Sequence, residues 1–207
     1  MIPRYQRILF WSLMGAILLM MAFLLHGCRQ AHKRLTALNN ATPIGAPTTA
    51  PVEEATLYMA SDDDASITPT SVRVPLPQEP PLRARALLEH LLSQYSLPGS
   101  AHPLPTVAAV DDVFLVAEPA SKDKQIAVIN LRAPFADGHP SGLLVEDLTV
   151  KSIVGTLHAA LPQVSEIRFL VDGQPRSTLA GHADLTRAYP AVDTAARATP
   201  PSEAALK

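Results

Sequence analysis

LVDGQPRSTLAGHADL, residues 170–185, joins an alternating apolar run to a segment punctuated by glycine. Just upstream, EIRFLVD (166–172) sets Ile167, Phe169 and Val171 on one side, the period of a half-buried strand. Gly173, after Asp172, supplies a turn, and RSTLAG (176–181) predicts a short returning strand. Then Gly181-His182-Ala183-Asp184 places a histidine and an aspartate two residues apart, so in extended chain both project to one face. Two readings compete: half of a metal or acid–base site, or the closure of a hairpin.

The neighbouring segments supply the rest of the frame. LLVEDLTVKSIVGTLHAAL (143–161) repeats apolar residues at helical spacing, with Leu143, Val150, Ile153, Val154, Leu157 and Leu161 inward and Asp147, Lys151 and His158 opposite. Before it, DVFLVA (112–117) and QIAVINL (125–131) predict a hairpin, whose second strand is apolar on both sides and so central in a sheet. Earlier still, Pro80 and Pro81 open a helix that buries Ala84, Leu87, Leu88, Leu91 and Tyr95. TLYMA (56–60) and SVRVPL (71–76) predict strands around an acidic turn at Asp62–Asp64. The calcium-loop pattern of glycine and distal glutamate is missing from that turn. The order β-β-α-β-β-α-β-β predicts an α+β fold: one mixed sheet with two helices packed against it.

The amino terminus differs in kind. Residues 8–25, ILFWSLMGAILLMMAFLL, hold no charge over eighteen residues. As a helix they would run about 27 Å, close to the thickness of a bilayer's hydrocarbon core. This predicts a transmembrane anchor behind a short flank, 1–7. LLHGC (24–28) also offers lipidation at Cys28, but His26 is neither small nor β-branched, and length favours a retained span. Basic residues flank both sides almost equally, so charge does not orient the span. An Ala/Pro/Thr-rich linker follows (26–54), then the patterned domain (55–190), then a tail (191–207) without periodicity.

Composition excludes several classes. The 207 residues carry a net charge of −2, which gives no footprint for nucleic acid. A single cysteine rules out an internal disulfide or a thiolate cluster within one chain. Nine scattered glycines make no phosphate loop, and Ser141 in HPSG sits where serine caps a helix rather than in a nucleophile elbow.

SVRVPLP, the RARALLEHLL helix, EDLTVKSIVGTL, RFLVDGQ and TLAGHADLTR together resemble the GerM domain of sporulation, germination and other bacterial envelope proteins. The resemblance spans roughly 55–190 and rests mainly on FLVDG and LAGH. It implies a compact module akin to the ring-building domains of secretion and sporulation channels. It also implies assembly with other proteins outside the cytoplasmic membrane and no catalysis. The chain holds one such domain rather than a tandem pair.

Function then follows as an expectation. A metal needs three or four ligands, and no HxxxH or HExxH occurs, so His182 and Asp184 read as structural. Gly181 permits the bend, His182 bonds nearby backbone, and Asp184 satisfies local amides. His90, His102 and His139 read as surface residues. No catalytic residue, metal or cofactor is expected. The leading expectation is a non-enzymatic interaction module of the cell envelope, single-pass in the cytoplasmic membrane with its carboxyl-terminal domain outside. Its partner would be another envelope protein or a second copy, met by a sheet edge or by a surface including Arg83, Lys151 and His158. The competing expectation is a periplasmic binder of cell-wall fragments.

Overall fold

In the computed structural model, residues 11, 13, 14, 19–21, 50–119, 121 and 123–195 are described. The chain divides into two units, Met1–Pro43 and Ile44–Lys207. In the first, Trp11, Leu13, Met14 and Leu19 to Met21 are helical and exposed. Most of the expected 8–25 span, and Cys28, lie outside the described residues. Among the described residues no helix is long and apolar enough to cross a membrane.

The second unit is α+β. Its elements are β1 (Val52–Ser61), β2 (Ser66–Pro75), α1 (Pro80–Tyr95), β3 (Val110–Ala117), β4 (Gln125–Leu131), α2 (Ala133–Gly138), α3 (Leu143–Ala160), β5 (Val164–Val171) and β6 (Tyr189–Pro190). They form two sheets, not the one expected. An antiparallel hairpin pairs β1 with β2, and a four-stranded sheet runs β3-β4-β5-β6. In the latter, β4 and β5 are parallel, joined by the α2–α3 crossover, and the other pairs are antiparallel. The helices lie between the sheets: α1 touches β1 and β3, and α3 touches β1, β2 and β5. A single sheet is the simplest partner for two helices, but α3 is buried all round from Leu148 to Leu157 apart from Lys151, so it needs cover on both sides.

Several local expectations are corrected. Residues 176–181 form no strand; only the bridges Val171–Gln174 and Thr178–Asp184 remain, and Tyr189–Pro190 supplies the last strand. The first two strands are longer than expected: β1 runs to Ser61 and β2 already begins at Ser66, leaving residues 62–65 as the turn, and β1 starts at Val52, inside the stretch read as linker. A third helix, α2, opens with Pro134 in its first turn, where the missing N–H costs nothing. Leu143, expected on the buried stripe, is instead 72% exposed as the first residue of α3. Gly142, not Ser141, precedes α3 as its cap.

The core faces of the larger sheet carry Val113, Ala127, Ile129, Ile167 and Phe169, all nearly inaccessible. On the opposite face Phe114, Val128 and Arg168 align across three strands, as do Val116, Ile126 and Glu166. Among the described residues no helix covers that face, and Phe114 and Val116 are each about half exposed.

Candidate functional site

The polar chemistry of this domain collects along one stripe of α3: Glu146, Thr149, Ser152 and Thr156, all fully buried. The spacing of three, three and four residues puts them on one side of the helix, opposite Asp147, Lys151 and His158. Together they hold three different parts of the chain.

At the carboxyl end of the stripe, Thr156 Oγ1 accepts the Tyr58 N–H at 3.0 Å, and the Ser152 hydroxyl donates to the Tyr58 carbonyl. Tyr95 of α1 reaches the same place. Its hydroxyl accepts the Ala60 N–H at 2.8 Å and lies 2.5 Å from Ser152 Oγ. Side-chain hydroxyls thus close the edge of β1 where another strand would otherwise pair. Gly155 lets the helix come this near, since a Cβ there would overlap the Tyr58 ring and Thr194.

In the middle, Thr149 Oγ1 lies 2.8 Å from His102 Nε2 and 2.9 Å from His139 Nε2. His102 Nδ1 is 2.5 Å from Asp62 Oδ1, and His139 Nδ1 is 2.8 Å from the Pro140 carbonyl. His102 and His139 are therefore core residues, not surface ones; only His90 keeps partial exposure. Burial depresses the His139 pKa, and neighbouring His102 adds to that, while the Pro140 carbonyl, Glu146 and Asp62 oppose it. Aspartate, histidine and hydroxyl stand in the order of a nucleophile triad, but Thr149 is wholly inaccessible and its hydroxyl is engaged by two imidazoles. No substrate atom can reach it.

At the amino end, Glu146 answers the question raised by Gly181-His182-Ala183-Asp184. Its Oε2 accepts the N–H groups of Ala180 (3.0 Å), His182 (2.9 Å) and Ala183 (2.8 Å). Its Oε1 accepts the Gly142 N–H at 3.1 Å and faces His182 Nδ1 at 2.9 Å. Burial alone would raise the carboxyl pKa. The amides of Ala183, Ala180 and His182 together with the His182 ring outweigh it and hold the group at about 2. Gly181, at φ 123°, permits the wrap. His182 thus bonds a distant carboxylate rather than nearby backbone, and its ring stays half exposed. Asp184 sits apart from it, accepting the Thr186 N–H and hydroxyl at 2.8 and 2.6 Å.

The preceding turn is tied down as well. Asp172, itself at positive φ, accepts the Ala133 N–H at 2.9 Å. The Gly173 N–H donates to Asn130 Oδ1 at 2.7 Å, and Arg176 pairs with Asp137 at 2.6 Å. Among the described residues, no group of three or more His, Cys, Asp and Glu side chains is placed to hold a metal ion.

A sequence model of the family described as Germane, sporulation and spore germination, matches residues 56–177. The chain belongs to the Germane family. That match ends before the Gly181–Asp184 segment but contains Glu146, around which the segment folds. Among solved structures, a Clostridium perfringens protein described as a lipoprotein is similar at 23% identity and TM-score 0.39, over 72% of this chain and 93% of its own. The tandem GerMN domains of the Bacillus subtilis sporulation protein GerM are similar at 14% identity and TM-score 0.45, over 65% of this chain and 44% of theirs. No curated protein matches the sequence.

The remaining surface residues of this Germane domain do not converge. Arg83 pairs with Glu53 at 2.7 Å at the start of α1, and Lys151 pairs with Asp147 at 2.6 Å, while His158 lies two turns farther along α3. Lys151 does line a groove of about 740 Å³ between the β1–β2 turn and α3, with Asp64, Ile67, Leu144 and Leu148. The Glu146–Thr149–Ser152–Thr156 stripe was absent from the sequence reading. Its signal was a second polar stripe on a helix that already had one, which cannot also face water.

Proposed function

We propose that this Germane domain is a non-catalytic protein-interaction module of the cell envelope, held at the membrane by its apolar amino-terminal segment and docking a partner at β3. The observation that carries this reading is the state of the sheet edges. The β1 edge is closed by hydroxyls from Tyr95, Ser152 and Thr156. Because Tyr58 turns its backbone groups toward α3, its partner Pro69 faces outward on β2, and so does Pro75, so prolines blunt that edge. The β6 strand has only two residues, one of them Pro190. By contrast β3, VDDVFLVA, contains no proline and no lysine, and although Glu89 of α1 takes the Val110 N–H at its start, among the described residues no strand pairs with its outer side. Phe114 and Val116 flank it with apolar surface. An extended partner segment with alternating apolar residues would add as a fifth strand. Membership in a sporulation and germination family supports an envelope role, and the inaccessibility of Thr149 supports the absence of catalysis.

The test places a photo-crosslinking residue at Val116, or at His158 as control, in the full chain in its native membranes. Adducts are expected at 116, lost when Phe114→Asp is added while circular dichroism stays unchanged. Equal adducts at both positions would remove the β3 reading. The polar-rimmed groove beside Lys151 favours a second reading, a binder of wall fragments. Muropeptide-induced amide shifts confined to residues 64–68 and 144–151 would support that alternative.

A further inference from the structure

Donor and acceptor capacity fixes where the protons sit in the buried chain around Thr149. The Pro140 carbonyl can only accept, so His139 Nδ1, 2.8 Å away, carries a hydrogen. A neutral His139 ring then offers a bare Nε2, and the Thr149 hydroxyl donates to it across 2.9 Å. Thr149 Oγ1 in turn accepts from His102 Nε2 at 2.8 Å, and one proton lies between His102 Nδ1 and Asp62 Oδ1. Thr149 also has a second acceptor within reach, the Val145 carbonyl of its own helix at 3.0 Å. Turning the hydroxyl to Val145 leaves its two lone pairs to accept one N–H from each imidazole. The same heavy atoms therefore accommodate His139 neutral or charged, through rotation of one hydroxyl.

We propose that Asp62, His102, Thr149 and His139 form a proton-operated latch between the β1–β2 turn and the α2–α3 loop, with His139 taking up the proton and Thr149 as its rotor. The groups facing His139 come from every element around it. Asp62 from the turn and Glu146 from α3 favour its charge, and His102 from the α1–β3 loop opposes it. From α2 the Phe135 ring meets it edge-on at 5.6 Å, and from α1 Tyr95 meets His102 likewise at 4.8 Å. Protonating His139 adds a charge that burial and the neighbouring His102 both oppose, on the hydroxyl that the two imidazoles share. Acid therefore loosens the tie. What moves is the distance between the hairpin turn and α3, which are the two walls of the groove beside Lys151.

The sign is fixed. A histidine whose folded pKa lies below its unfolded value near 6.5 contributes stability above that pH, lost as pH falls through the folded pKa. For one proton the unfolding constant changes by at most about tenfold per pH unit.

The experiment is a pH series from 8 to 5 on the full chain in detergent micelles, uniformly labelled with ¹⁵N and observed through histidine ring-nitrogen and backbone amide spectra. At pH 8 His139 is expected as the Nδ1–H tautomer, with its midpoint below that of an ordinary histidine. Amide shifts at residues 62–66 should follow that midpoint. Thr149→Ser should keep the coupling and Thr149→Val should abolish it. An Nε2–H tautomer at pH 8, or turn signals that ignore the His139 midpoint, would overturn the latch. Both readouts come from the unaltered chain, so they stand even where the valine variant does not fold.

Discussion

Two polar clusters sit one turn apart on α3 and behave oppositely. Around Glu146 nearly every donor is a backbone amide, which cannot give up its proton, and the carboxylate stays ionised down to about pH 2. Around Thr149 every partner but the Pro140 and Val145 carbonyls is a titratable side chain. The first arrangement fixes a loop permanently, and the second can change state with pH. Buried polarity is thus rigid or responsive according to what supplies the hydrogens.

The sharpest way to break the comparison is Glu146→Ala. It strands the amides of Gly142, Ala180, His182 and Ala183 around a position where Glu146 is fully buried, and we expect a loss of about 3–5 kcal/mol. For a chain of this size that lowers Tm by about 10 °C in a calorimetric melt. The native Glu146 contribution is present above pH 4.5 and lost only as pH falls through about 2, so this variant should shift stability evenly from pH 8 to 5. Thr149→Val should cost less, about 2–3 kcal/mol from the unpaired His102 N–H, and it should change the slope of stability against pH as well as its level. Urea titrations at several pH values separate these two outcomes. Gly155→Ala tests whether both clusters depend on the close approach of α3 to β1. Overlap with the Tyr58 ring predicts a loss of about 1–3 kcal/mol by overpacking, seen as faster amide exchange at Tyr58 and Ala60. Smallest of all, Asp184→Asn should barely move the melting curve, since its carboxylate is exposed and serves only the adjoining residues Thr186 and Arg187.

How legible this was depended on the range of the interaction. The periodicity of residues 143–161 placed α3 within one residue of its observed end, and alternation at 166–172 placed β5 nearly as well. The glycine at 173 marked a real turn, at φ 73°. The segment 176–181 failed because its order comes from Glu146 and Arg176 rather than from strand pairing. His102 and His139 looked isolated because nothing near them in sequence is their partner; Asp62 and Thr149 lie forty and ten residues away.

What the sequence by itself determined were the elements and their apolar faces, since strand alternation, helical spacing and proline or glycine punctuation act over a few residues. The tertiary structure alone decided that α3 would lie between two sheets. That placement turned its second polar stripe inward, toward Tyr58, His102 and His182, residues 98, 47 and 36 positions distant from their partners on the helix. A buried polar group takes whichever partner the packed layers bring to it, and those layers exist only once the chain has closed over itself.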